Sequence, residues 1–186
     1  MITPDVQTGV LRVSDVESAA IDNLANRYGL TVERIADGET ITGSFWGEPE
    51  AGIMGLSVFV RSDTPMHSML HEISHIICMC DERRKHLDRN AGSDDLEESA
   101  VCYLQIILAD FFLGVGRFRL MRDMDNWGYS FRLGKTENWF NGDAGDAREW
   151  LVDYGLIDDA DLPLFRLREA SGPSILPCWA TTSLRD

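Results

Sequence analysis

Residues 67–82 read HSMLHEISHIICMCDE, and the spacing inside them decides how the rest of the chain is read. His71, Glu72 and His75 form an HExxH pattern. On an α-helix four residues advance about 400°, so side chains at this spacing leave one face about 40° apart, one turn above the other. Two imidazoles so placed can each give a nitrogen to one divalent ion. Glu72 projects from the neighbouring face. It is too close in the chain to join them comfortably as a ligand, but it can reach a water beside the ion, which is the position of a general base. A helix is expected here because Asp63 or Thr64 can cap it and Pro65 suits its first position.

Two histidines under-hold an ion, and the sequence offers three sources for a third ligand. Asp81 stands where an HExxHxxGxxH-type pattern or its Asp variant would supply it, but Cys78 replaces the glycine that turns the chain. The helix is therefore expected to run on and carry Asp81 roughly 9 Å along the axis from His75. Cys78 lies roughly 60° round from His75 and can be imagined as a thiolate ligand. More simply, IICMC is a buried apolar stretch in which cysteine serves as a small hydrophobe. The third source is the acidic pair in DDLEESA. Glu97 shares a helical face with Val101, Leu104 and Leu108, whereas Glu98 aligns with Cys102 and Gln105. A carboxylate on a core-facing stripe costs several kcal/mol unless it meets a cation, so Glu97 is the favoured ligand and Glu98 the alternative. The plainer reading of the pair is an acidic first turn that complements the helix dipole.

His67, one turn before His71, can polarise a substrate carbonyl or make a supporting hydrogen bond, or merely cap the rim. Tyr103, Tyr129 and the tryptophans at 127, 139 and 150 can wall a cleft, with tyrosine able to donate to an oxyanion. Their helical spacing also suits a C-terminal core, and none is assigned a catalytic role. Arg83, Arg84, Lys85, His86 and Arg89 form a basic island that can bind a carboxylate or phosphate, or simply answer the dipole at a helix end.

Around this helix the chain of 186 residues, 44% hydrophobic, supports one main core. Ser14 and Glu17 read as a capping box for a helix over about 15–28. TVERIA, ETITGSFW and IMGLSVFVR read as three short strands of a small, mostly antiparallel sheet, with the last strand offering an edge to an extended peptide. LEESAVCYLQIILADFFLG is a buried helix capped by the Ser and Asp before it. RFRLMRDMDNW and DAREWLVDYG are helical, and GYSFRL is extended. The expected organisation is a metal-binding core at 1–113, a helical subdomain packed on it at 114–170, and an irregular tail at 171–186.

The net charge of −14 disfavours nucleic acid and anionic membrane as partners and makes a basic peptide or protein the natural one. No apolar run reaches the roughly 18 residues that span a bilayer, and the N-terminus lacks a leader pattern, so a cytoplasmic location is expected. Cys78, Cys80, Cys102 and Cys178 form no CxxC pair and are expected as free thiols. No feature specifies an oligomeric state.

HEISH followed by LEESAVCYLQIILAD resembles the ImmA/IrrE-type metallopeptidases, in which a strand, an HExxH helix and a later helix opening with ExxA build a zinc site. Glu97 and Ala100 stand at the ExxA positions, and Asp110 replaces the proline that usually ends that helix. The likeness covers about residues 53–110 and implies a zincin-like α+β core, with His71, His75 and Glu97 as ligands, Glu72 as base, and a peptide or protein as substrate. A second, lesser resemblance is to the elongation factor P hydroxylases, which pair an HExxH with a downstream carboxylate. Two histidines and a carboxylate suit Fe²⁺ oxygen chemistry as well as Zn²⁺ hydrolysis. A non-catalytic protein that uses a metal as scaffold is the third expectation.

Overall fold

The computed structural model describes residues 9–169, so the expected tail lies outside the described residues. Within them the chain is α+β: helix α1 (Ser18–Arg27), strands β1 (Thr31–Arg34), β2 (Gly52–Met54) and β3 (Ser57–Val60), then helices α2 (Met66–Cys78), α3 (Asp81–Arg84), α4 (Asp95–Leu108), α5 (Gly116–Trp127), α6 (Thr136–Gly142) and α7 (Gly145–Asp153). Short 3-10 turns stand at Val13–Asp15 and Ala109–Phe111.

The sheet corrects the expectation of a mostly antiparallel one. Its order is β1-β3-β2, with β1 parallel and β2 antiparallel to β3. IMGLSVFVR is not one strand but a hairpin folded at Gly55, whose φ of 60° suits a residue without a side chain. The stretch around ETITGSFW is mostly turn, touching the sheet only where Ser44 bridges Gly52. Gly43 is pressed against the backbone of Ile53 at a φ of 71°, so a strand could not continue through it. β3, the second half of the stretch expected to offer an edge, is paired on both sides, so the edge falls to its first half, β2, where Ser44 bridges Gly52.

Val32, Val58 and Ile53 lie side by side across the three strands and are all buried, which gives the sheet one apolar face. α2 packs on that face and against α4. Ile73, Ile76 and Ile77 of α2 and Leu104 and Ile106 of α4 are fully buried, and one cluster of buried apolar side chains runs from Leu11 to Ile157. α5 and α7 pack on α4 as an extension of this core. α6 was not legible in the sequence, and GYSFRL forms a turn closed by a Phe131–Gly134 bridge rather than a strand.

α2 does not run on through Asp81. It ends at Cys78, and Met79 is extended. The carbonyls this leaves open are taken by distant donors: the Arg84 side chain donates to Ile76 and Met79, and Arg168 donates its backbone N–H to Ile77. Cys78 and Cys102 are free and buried. Cys80 is disulfide-bonded, against the expectation of four free thiols. No helix among the described residues is long and apolar enough to cross a membrane.

Candidate metal centre

The helical spacing of HExxH has the consequence expected of it. His71 and His75 turn their rings into the cleft between α2 and the first turns of α4, with Nε2 atoms 3.0 Å apart. The carboxylate that meets them is Glu98. Its Oε1 lies 3.2 Å from His71 Nε2 and its Oε2 lies 3.5 Å from His75 Nε2. Ligand atoms about 2.0–2.1 Å from a tetrahedral ion stand about 3.3 Å from one another, so the triangle has the size of a zinc ligand set. Among the described residues this is the one group of His, Cys, Asp and Glu side chains so gathered.

Supporting contacts orient these three side chains. His71 Nδ1 lies 2.6 Å from Gln105 Oε1. An amide oxygen only accepts, so a ring proton sits on Nδ1, and Nε2 is the nitrogen that faces His75 and Glu98. Ser93 donates its hydroxyl to Glu98 Oε2 at 2.7 Å. Asp94 caps α4, accepting from the backbone N–H groups of Leu96 and Glu97, and so sets the first turn that carries Glu98. Tyr129, brought back over α2 by the left-handed Gly128 after α5, stands edge-on to His71 with ring centres 6.0 Å apart.

The electrostatics follow from crowding and burial. Burial and the neighbouring His71 push His75 down to about 3, since two imidazoles this close cannot both be charged. Against its own burial, the contact with His71 and the nearby His75 hold the Glu98 carboxyl down, at about 2. Burial lifts Glu72 to about 7. Glu72 opens with His71, His75 and Glu98 onto a cavity of about 450 Å³, whose outer wall includes Trp46, Arg89 and Ser93. A second cavity of about 600 Å³ shares Trp46, His71 and Glu98 and continues past Cys102, Trp127, Tyr129 and Phe131. The candidate centre thus lies in the floor of a longer cleft.

Glu97, the favoured third ligand, is turned away. It is 4% exposed and does meet a cation, as a buried carboxylate must, but that cation is a guanidinium pair. Arg83 Nη1 contacts both its oxygens at 2.7 and 2.8 Å, and Arg168 Nη1 reaches Oε2 at 3.0 Å. The side of α4 that faces the two histidines is the polar one: Cys102 and Gln105, four and seven residues after Glu98, lie within about 40° of it. Tyr103 falls on another side of α4, stacked on Phe140 and donating to Asp161, so it supports the C-terminal helices and not the site. Cys78 is buried at the end of α2, and Asp81 pairs with Arg84. His67 is wholly buried against Trp127 and Tyr129, and neither ring nitrogen has a hydrogen-bond partner among the described residues. It backs the aromatic wall and bonds to none of His71, His75 and Glu98.

The basic island resolves into separate roles: Arg83 on Glu97, Arg84 on Asp81 and the α2 end, Lys85 on Glu82, and Arg89 at the cavity rim. Gln105 and Ser93 were not singled out from the sequence. The one trace of Gln105 was a polar residue on a nearly apolar helix at Glu98's own angle. Comparison of the chain with protein-family models, curated proteins and solved structures returns no match, so the reading of this site rests on its own geometry.

Proposed function

We propose that this chain is a metal-dependent peptide hydrolase of the zincin kind, as its resemblance to the ImmA/IrrE-type metallopeptidases implies. The observation that carries the reading is the triangle of His71 Nε2, His75 Nε2 and the Glu98 carboxylate, with Glu72 beside it in the same cavity. His71, His75 and Glu98 would hold the ion, with Zn²⁺ the best match to two imidazoles and a carboxylate. The ion supplies an acidified water and polarises a carbonyl oxygen. Glu72 takes the proton of the attacking water and passes it to the departing amine nitrogen as the C–N bond breaks. Its burial suits that exchange, since burial raises the cost of the ionised form and so favours taking up the proton. Gln105 keeps His71 in the tautomer that leaves Nε2 bare, and Ser93 steadies the carboxylate.

The same donor set supports a second reading, a non-haem Fe²⁺ hydroxylase. Metal analysis of protein purified without oxygen, followed by peptide cleavage assays on the wild type and Glu72→Gln, tests both. The hydrolase reading expects stoichiometric zinc and cleavage that Glu72→Gln abolishes. Iron with oxygen consumption selects the hydroxylase. Absence of any bound metal sinks both.

A further inference from the structure

The larger cavity has a composition that the metal chemistry does not call for. Beyond His71 and Glu98 it is walled by Trp46, Trp127, Tyr129 and Phe131, and it contains Glu50. Glu50 is held in place: Oε1 accepts from Trp127 Nε1 at 2.9 Å and Oε2 accepts from the Ser68 hydroxyl at 3.3 Å. Each carboxylate oxygen keeps a further lone pair. Among the described residues no lysine or arginine lines this cavity, whereas the smaller one on the other side of His71 and Glu98 has Arg89. Aromatic walls around a fixed, uncompensated carboxylate are the surroundings a cation prefers, through ring quadrupoles and charge together. The chain's net charge of −14 draws the same kind of ligand from a distance.

We propose that this cavity, on the Tyr129 side of the ligands, is a specificity subsite for a cationic side chain, lysine or arginine, of a peptide lying along the cleft. The proposal rests on the hydrolase reading for the direction of the cleft, but not for the chemistry of the cavity. Glu50 and Trp46 are the residues that set the preference. Trp46, 76% exposed, stands at the mouth where the two cavities meet, and Glu50 stands within.

The test is a binding titration on the Glu72→Gln protein, so that no peptide is consumed, read by tryptophan fluorescence. The probes are acetylated, amidated Ala-X-Ala peptides with X as lysine, arginine, norleucine, phenylalanine or glutamate. The lysine and arginine peptides should bind about tenfold tighter than the norleucine peptide. Adding Glu50→Gln, which keeps an acceptor for Trp127, should bring the ratio close to one. Adding Trp46→Ala, at a position too exposed to affect folding, should reduce it several-fold. Norleucine or phenylalanine binding as tightly as lysine overturns the proposal, as does a ratio unchanged by Glu50→Gln. Cleavage of the same peptides by the wild type separates the two readings. Cleavage without cationic preference removes the subsite and leaves the hydrolase. Cationic preference in binding without any cleavage supports the subsite and removes the hydrolase.

Discussion

Adjacent glutamates in one helical turn should respond to substitution in opposite ways. Glu97 is 4% exposed and faces two guanidiniums, Arg83 and Arg168, whose side chains are only 17% and 12% exposed. Glu97→Gln keeps shape and one acceptor but removes the charge that neutralises them. Breaking a buried ion pair on one side costs about 3–5 kcal/mol, and the retained amide oxygen places this case near about 3 kcal/mol. For a chain of this size each kcal/mol moves Tm by about 2–4 °C, so the midpoint should fall by about 6–12 °C. Glu98 is different: its side chain is 44% exposed and its partners are the two histidines and the Ser93 hydroxyl. Glu98→Gln should cost less than about 1 kcal/mol in the presence of chelator. Its cost should appear in the metal. Outer-sphere partners of a ligand are worth about 10–100-fold in affinity, and loss of a ligand itself should exceed about 100-fold. Zinc at about 1,000 times its Kd stabilises by about 4 kcal/mol, or about 8–16 °C here. That increment should survive in Glu97→Gln and vanish in Glu98→Gln. Circular-dichroism melting of the three proteins with chelator and with zinc measures both effects. The reasoning is refuted if Glu97→Gln loses zinc while its chelated Tm is unchanged, or if Glu98→Gln keeps the zinc increment.

Other outcomes follow from the same geometry. Gln105→Leu removes the acceptor of the His71 ring proton while filling the same space, and should weaken zinc by about 10–100-fold in a chelator competition. Glu72→Gln should retain zinc at wild-type affinity and lower kcat by at least about 100-fold in a peptide assay. Asp94→Ala removes a helix cap and should cost about 1 kcal/mol in urea unfolding, with a loss of zinc affinity because the first turn of α4 carries Glu98. Ile73→Ala, fully buried in α2, should cost about 2–5 kcal/mol by the same unfolding measurement, since the surrounding helices cannot collapse into the gap.

The parts of the site readable from the sequence are those that helix periodicity dictates. His71, Glu72 and His75 are tied by one turn of backbone, so their relative angles are local properties that hold wherever the helix lies. The start of α2 after Pro65 and the Asp94 cap of α4 are local in the same way. The choice between Glu97 and Glu98 is not local, because both leave the same turn and only the rotation of α4 against α2 says which meets the histidines. The premise that a buried carboxylate needs a cation held, but the cations proved to be Arg83 and Arg168, the latter far along the chain. Arg168 and Arg84 together also satisfy the carbonyls at the end of α2, which stops at Cys78, before Asp81. The parallel pairing of β1 with β3 likewise depends on a crossover that short-range patterns do not encode. By itself, then, the sequence determined the relative placement of His71, Glu72 and His75, through the geometry of a single helix. The tertiary structure decided which carboxylate meets the histidines, the contacts of Gln105 with His71 and of Ser93 with Glu98, and the aromatic cleft around them, because each depends on how separate elements dock and which charges that docking brings together.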